Sequence, residues 1–305
     1  LINQVVLIDY IIIILGDDRM SESRHNPDQL SKEIQADEEK RNKGHLKIFF
    51  GYAAGVGKTY AMLEAAHMEK QQGIDVVAGY VEPHAHPKTA ALLNGLEVLP
   101  TREVFYNGMM LDEFDIGMAL KRKPQLILVD ELAHTNAEGC RHAKRYQDIK
   151  ELLNAGIDVY TTVNVQHIES LCDTVASITE IIVRERIPDS IFDNADQVEL
   201  IDIEPQDLIN RLNTGNVYRQ TQEKQAVENF FTIENLTALR KISLRRCADR
   251  VNILTENTRI KNHGDYHTGE HILVCLSSSP SNAKIIRTAA KMASAFKGEF
   301  TALFV

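Results

Sequence analysis

The sequence is poor in the residues that build metal ribbons and redox centres. It has four cysteines in 305 residues, and none of them forms a CxxC pair. A zinc ribbon or a dithiol redox motif is therefore not indicated. We interpret the four as buried or bystander thiols of a protein in a reducing cytoplasm.

Long apolar runs are also missing. The apolar stretch at residues 1–16 carries Asp9 and is too short to cross a bilayer. It lacks a preceding basic region and a small-residue cleavage site, so it does not resemble a secretory signal. We expect Met20 to be the native start and residues 1–19 to be read-through from upstream sequence or an incomplete record. Residues 1–44 are then an upstream segment and a polar arm before the first core strand.

Positive charge is in deficit, with 34 Lys and Arg against 43 Asp and Glu and a net charge of −9. Nucleic-acid surfaces need clustered Lys and Arg for phosphate contacts, so nucleic acid is not an expected partner. The basic stretch at 240–250 is the local exception. A solvated helix face is its simplest interpretation, and contact with anionic lipid or nucleic acid is the alternative.

Apolar runs of strand length alternate with helical patterns from Leu46 onward. These runs lack the alternation of half-exposed strands, which is typical of parallel strands buried on both faces. They occupy residues 46–52, 75–80, 126–129, 157–163 and 198–203. We therefore predict a doubly wound α/β domain at residues 45–256, with a parallel sheet and a helical C-terminal extension. The stretch 96–106 is predicted to be a hairpin or an edge insertion.

A second unit is expected after this domain. Residues 257–270 are polar and have no hydrophobic periodicity, which predicts a linker. Residues 271–305 follow the order strand, loop, helix and strand, which is one βαβ unit. A single βαβ unit cannot bury both faces of its sheet, so we interpret it as the first part of a truncated α/β domain.

The stretch LKIFFGYAAGVGKTY at 46–60 predicts a strand, a glycine-rich turn and the start of a helix. In a P-loop, or Walker A motif, this arrangement holds the phosphates of ATP or GTP through backbone N–H groups, a Lys and a magnesium-binding hydroxyl. The predicted binding residues are Gly55, Val56, Gly57, Lys58 and Thr59. The sequence departs from the usual GxxxxGKT pattern because Tyr52 replaces the first glycine and Gly51 comes one residue earlier.

The stretch PQLILVDELAHTN at 124–136 is an apolar strand that ends in two acids, as a Walker B segment does. Asp130 is predicted to hold Mg²⁺ together with Thr59, directly or through water. Glu131 is the candidate for polarising an attacking water if ATP is hydrolysed. The same groups can also bind a nucleotide only to set a conformation, so the motifs leave hydrolysis open.

Other polar residues near the acidic motif have two interpretations each. Arg141 and Arg145 are candidates for stabilising charge on a transferred phosphoryl group, and solvated surface charge is the alternative. The histidines form no recognisable ligand spacing with Cys or carboxylates. Nucleotide-proximal or loop-structuring roles are therefore favoured over a metal site for His84, His86, His134 and His142.

Four phrases resemble the N-terminal cytoplasmic sensor region of the KdpD family of potassium-sensing histidine kinases. They are GVGKT (55–59), DVVAGYVEPH (75–84), LILVDELAHTNA (126–137) and NAGIDVYTTVNVQHIESL (154–171). The resemblance implies an ATP- and Mg²⁺-binding regulatory module of a two-component system that controls high-affinity potassium uptake. It would set the balance of kinase and phosphatase activity in a C-terminal core.

The resemblance also implies partners and a location. The partners are the kinase core and membrane domain of the full-length protein, a response regulator acting indirectly, and a second copy in a homodimer. The location is the cytoplasmic side of the membrane. This chain contains no kinase core, so we do not expect histidine kinase activity from it alone. The alternative from the enzyme class is a self-standing P-loop ATPase or small-molecule kinase.

Residues 271–305 resemble the start of the universal-stress-protein-like domain of that family. Six positions match the signature by which some members bind cyclic di-AMP: Ser277, Ser279, Asn282, Phe300, Thr301 and Ala302. Phe304 replaces the usual Tyr of this signature. The alternative interpretation of the serine cluster is an ordinary capped loop between a strand and a helix.

Overall fold

The structure is a computed structural model that describes most of the chain after the amino-terminal arm. The described residues are 43–82, 87–106, 108–213, 230–262, 271–277, 282–296 and 299–304. They belong to two compact units, which divide between Ala248 and Asp249. Each unit is described separately below.

The first unit is built on a six-stranded sheet in which neighbouring strands run parallel. Its strands are β1 (Leu46–Gly51), β2 (Val76–Tyr80), β3 (Glu97–Val98), β6 (Leu126–Val129), β7 (Asp158–Asn164) and β8 (Gln197–Ile201). Their spatial order is β3-β2-β6-β7-β1-β8. The five predicted apolar runs form five of these strands, so the α/β class and the parallel sheet are confirmed.

Helices and short 3₁₀ turns connect the strands. The helices of this unit are α1 (Lys58–Gln71), α2 (Pro87–Ala91), α3 (Ile116–Arg122), α4 (Arg145–Asn154), α5 (Cys172–Thr179), α6 (Asp189–Asp193), α7 (Pro205–Asn213) and α8 (Ile233–Asn262), the last of which continues beyond it. Two 3₁₀ turns, Val165–His167 and Glu169–Leu171, follow β7. Among the described residues, no helix combines the length and the apolar content needed to cross a membrane.

The central strands are buried on both faces. Successive side chains of a strand point to opposite faces, and in β1 the side chains of Ile48 and Phe50 enter one hydrophobic cluster while Phe49 enters the other. All three are fully buried. Burial of each contributes about 1.5–3 kcal/mol. Two-sided burial explains why these strands are continuous apolar runs in the sequence.

The prediction of a hairpin or an edge insertion at residues 96–106 is partly wrong. Residues Glu97–Val98 form β3, a parallel edge strand beside β2. The hairpin lies further along the chain, where β4 (Arg102–Tyr106) pairs antiparallel with β5 (Met109–Glu113). The second strand has the sequence MMLDE, which contains no β-branched residue and therefore gives little strand signal.

The second unit contains β9 (His271–Leu276), α9 (Asn282–Phe296) and β10 (Glu299–Phe304). Its two strands pair in parallel, which confirms the βαβ order for the described residues. The linker prediction is wrong for its first six residues, because α8 continues to Asn262. Residues 263–270 lie outside the described residues.

Candidate functional site

The glycine-rich turn connects β1 to α1. Gly55 and Gly57 adopt φ angles of 85° and 111°, in the left-handed region that favours glycine. Gly51 is required for a different reason, because a Cβ there would lie 2.6 Å from Cγ2 of the buried Val56. The turn thus folds back over the end of β1, and the free N–H groups at the start of α1 offer a site for an anion.

Tyr52 anchors the first part of the turn. Its side chain is fully buried in the core, and its hydroxyl donates a hydrogen bond to the carbonyl oxygen of Ile203 at 3.1 Å. Burial, reinforced by the charge of Asp202, raises the pKa of Tyr52 to about 12. Tyr52, which replaces the first glycine of the usual motif, therefore fixes the turn to the connection between β8 and α7.

Lys58 lies inside the turn. Its side chain is buried, and its ammonium group donates to the carbonyl oxygen of Ala53 at 3.1 Å. Burial lowers the pKa of Lys58 to about 8, although the charges of Asp130 and Glu131 oppose this shift. The charges of both acidic residues of the second motif therefore act on this amine.

The two sequence motifs meet at Thr59 and Asp130. The hydroxyl of Thr59 donates to Oδ2 of Asp130 at 3.0 Å, although the residues are 71 positions apart. Asp130 is 1% exposed, and its Oδ1 accepts from the Glu131 N–H at 3.1 Å. Oδ1 also accepts a hydrogen bond from the hydroxyl of Thr162. The predicted site residues of the two motifs are therefore neighbours.

Thr162 is a site residue that the sequence prediction missed. It lies on β7, the strand between β1 and β6. Besides its bond to Asp130, its hydroxyl accepts from the Glu131 N–H at 3.3 Å. The signal in the sequence is the pair of threonines in the strand Asp158–Asn164, which places a hydroxyl among apolar neighbours.

Glu131 has an unusual backbone conformation, with φ at 61° in a non-glycine residue. Such a conformation costs on the order of 1–3 kcal/mol and is concentrated at functional sites. Its side chain is 45% exposed, and its carboxylate lies 3.7 Å from the guanidinium of Arg145. Surrounding protein and the charge of Asp130 raise the pKa of Glu131 to about 7. Because 45% of the side chain is exposed, the carboxyl group can nevertheless reach solvent beside Asp130.

Arg145 differs from both interpretations offered by the sequence. Its side chain is fully buried, so it is not a solvated surface charge and has no exposed surface from which to reach a phosphoryl group. The guanidinium bonds Glu113 at 3.1 Å and the carbonyl oxygen of Asp130 at 3.2 Å. It also lies 4.0 Å from the ring centre of Tyr80. Arg145 therefore helps to position the acidic motif through its bond to the backbone of Asp130.

Arg141 is the other arginine proposed to contact a phosphoryl group. Its side chain is 53% exposed and forms an ion pair with Glu151 at 2.5 Å. This pairing agrees with the surface interpretation, in which exposed pairs contribute about 0–1 kcal/mol.

The histidines near the acidic motif organise its following loop. His134 pairs with Glu113 at 3.1 Å, and His142 pairs with Asp148 at 2.8 Å. Within the described part of the chain, no group of three or more potential metal ligands is assembled. These contacts agree with the loop-structuring alternative for His134 and His142, while His84 and His86 lie outside the described residues.

In the second unit, the candidate cyclic di-AMP residues are only partly described. The side-chain amide of Asn282 donates to the backbone oxygen of Ser277, which joins the end of β9 to the start of α9. Thr301 and Ala302 lie on β10 opposite β9, and Phe300 is 37% exposed. Ser279 lies outside the described residues.

Comparison with known proteins gives matches over most of the chain. A family model described as the osmosensitive K⁺ channel His kinase sensor domain, KdpD, matches residues 42–251. The sensor protein KdpD of Clostridium acetobutylicum is 56% identical over 285 residues, and that of Escherichia coli K12 is 49% identical over 287 residues. Each alignment covers 92% of this chain. A putative sensor protein KdpD of Synechocystis is 46% identical over 263 residues and 86% of this chain.

The share of each relative that is covered differs. The alignments cover 32% of the Clostridium protein and 31% of the Escherichia protein, so this chain spans about a third of their length. They cover 70% of the Synechocystis protein. The family match includes the glycine-rich turn, the acidic motif and Thr162. This chain belongs to the KdpD sensor-domain family.

Proposed function

We propose that this chain is the ATP-binding regulatory module of a potassium-sensing histidine kinase. The observation that carries the proposal is the 3.0 Å contact between Thr59 and Asp130, which joins the glycine-rich turn to the acidic motif. A phosphate-binding turn and a magnesium-binding acid must meet in this way to hold a nucleotide with its metal ion.

The residues present fit Mg²⁺ and phosphate. Mg²⁺ prefers oxygen ligands and retains several waters, so one hydroxyl and one carboxylate suffice on the protein side. Thr59 and Asp130 provide these two groups at the same place. Lys58 would exchange its bond to the Ala53 oxygen for a phosphate oxygen, and the N–H groups of the turn would donate to the same anion. Bound Mg²⁺ would neutralise part of the phosphate charge.

The regulatory role depends on a link from the nucleotide to the rest of the protein. Arg145 touches both Glu131 at the site and Glu113 at the end of β5. A change at Glu131 can therefore act on the β4–β5 hairpin through one buried guanidinium. We propose that the receivers are the kinase core and membrane domain of the full-length kinase, which acts on a response regulator, forms a homodimer and holds this module at the cytoplasmic face.

The test is a titration of the full chain with Mg-ATP by calorimetry, followed by a single-turnover hydrolysis assay. Lys58→Ala should abolish binding, and the exposed Lys150→Ala on α4 is the matched control. Tight binding with negligible hydrolysis would support a regulatory switch. No binding to a folded wild-type chain would refute the proposal.

A self-standing ATPase or small-molecule kinase is the second candidate. It is favoured by Glu131, whose carboxylate reaches solvent next to Asp130, where an attacking water could be oriented. Steady turnover that falls by about 10²–10⁴-fold in Glu131→Gln would support this candidate. Equal, negligible hydrolysis by both proteins would exclude it.

We also propose cyclic di-AMP as a ligand of the second unit. The bond from the Asn282 amide to the Ser277 oxygen supports this, because it joins two of the matching residues. Titration of the full chain with cyclic di-AMP should give binding that Asn282→Ala weakens and the exposed Lys284→Ala on the same helix does not. Equal affinity in both variants would contradict this assignment.

A further inference from the structure

A cation from a distant part of the chain lies next to the glycine-rich turn. Arg211 is on α7, and a Cβ built on Gly57 would lie 3.9 Å from its Nη1 atom. Gly57 belongs to the part of the turn whose N–H groups surround the inner phosphates of a nucleotide in a P-loop. The guanidinium therefore stands at the edge of the proposed phosphate site.

The chain holds α7 in this position through contacts that do not involve Arg211. Leu208, on the same helix, is fully buried in the main core. β8, which precedes α7, pairs directly with β1, and its Ile201 lies opposite Gly51. Tyr52 bonds the Ile203 oxygen in the connection between β8 and α7. The helix and the turn are therefore fixed to one another at both ends of that connection.

A second arginine fixes the same connection. Arg240 of α8 bonds the carboxylate of Asp202 at 2.7 Å and that of Glu204 at 2.7 Å. These bonds occupy the two acids that precede α7. Arg240 thus helps to fix the connection that carries α7 and Arg211.

We propose that Arg211 is a nucleotide-binding residue that donates to the inner phosphates of ATP from α7. Guanidinium groups suit this task because their fixed, planar donors match two phosphate oxygens at once. The proposal rests on the proposed function, because it places Arg211 at the same nucleotide. It adds a contact from a region outside both sequence motifs.

The experiment compares Arg211→Ala, Arg211→Lys and Arg245→Ala in the full chain, each titrated with Mg-ATP and with Mg-ADP. Arg245 is an exposed arginine on α8 and serves as the matched control. Arg211→Ala should raise the Kd of both nucleotides by about tenfold or more, as expected for loss of a charge-assisted hydrogen bond. Arg211→Lys should give a smaller increase, and Arg245→Ala should leave both values unchanged.

The outcomes separate the two proposals. ATP binding that Lys58→Ala abolishes but Arg211→Ala leaves unchanged would overturn the role of Arg211 alone. Weakened ATP binding with unchanged ADP binding would also overturn it, because the inner phosphates are common to both nucleotides. Absence of nucleotide binding by the folded wild-type chain would overturn both. Far-UV circular dichroism of each variant identifies any loss caused by unfolding.

Discussion

Replacement of Arg145 by Met tests whether the buried guanidinium stabilises the acidic motif. The substitution keeps an unbranched apolar stem but removes the group that bonds Glu113 at 3.1 Å and the Asp130 oxygen at 3.2 Å. Glu113 is 3% exposed, so its carboxylate would remain buried without its arginine partner. The contact with the ring of Tyr80 would also be lost.

The expected cost is about 3–5 kcal/mol of unfolding free energy, which is typical when one partner of a buried ion pair is removed. Part of that cost arises because the charge of Glu113 stays buried without its arginine partner, so neutralising Glu113 should recover some unfolding free energy. We expect Arg145→Met combined with Glu113→Gln to be at least about 1 kcal/mol more stable than Arg145→Met alone. The exposed Arg141→Met should cost less than about 1 kcal/mol.

The assay is urea unfolding followed by far-UV circular dichroism, since the chain has no tryptophan to report on unfolding by fluorescence. A loss below about 1 kcal/mol for Arg145→Met would refute the argument. So would additive losses in the double variant, because additivity would mean that Arg145 and Glu113 do not interact.

Three further predictions follow from contacts around the site. Burial favours the neutral form of Glu113, but hydrogen bonds from His134 and from the Ala137 N–H outweigh it and hold the pKa of Glu113 below 4.5. Glu113 therefore contributes stability above about pH 4.5 that is lost as pH falls through the folded pKa, and Glu113→Gln should flatten the fall in unfolding free energy below about pH 4.5. Gly51→Ala should displace the turn and weaken Mg-ATP binding in calorimetry, because its Cβ would stand 3.1 Å from Cδ of Lys58. Tyr52→Phe should cost about 1 kcal/mol in urea unfolding through the lost bond to the Ile203 oxygen, and an unchanged midpoint would contradict that assignment.

Much of the first unit could be predicted because its signals are local. A strand buried on both faces is a continuous apolar run, and five such runs located five strands to within two residues at each end. β5 was missed because MMLDE depends on pairing with β4 rather than on its own strand propensity. The continuation of α8 to Asn262 was missed for a related reason, since its polar sequence has no apolar periodicity.

The residues of the candidate site likewise differ in whether a local sequence signal predicts them. The glycines of the turn, Lys58 and the acids follow from residue type and spacing, which the motifs encode. Thr162 and Arg145 bond Asp130 from positions 32 and 15 residues away along the chain, so only the fold brings them to it. Arg145 illustrates the limit, because an arginine after an acidic motif has the same sequence signal whether it is exposed or fully buried.

Tyr52 shows why a motif is better judged by geometry than by pattern. The usual pattern has glycine at this position, so the pattern alone indicates that the first part of the turn is unsuited to binding phosphate. In the fold, Gly51 is the residue where a Cβ would come too close to Val56 and Lys58. The ring of Tyr52 enters the core, and its hydroxyl bonds the β8–α7 connection. That connection carries α7 and with it Arg211. The residue that breaks the pattern therefore fixes the turn to the connection that carries Arg211, so a longer side chain at this position is compatible with the proposed phosphate site.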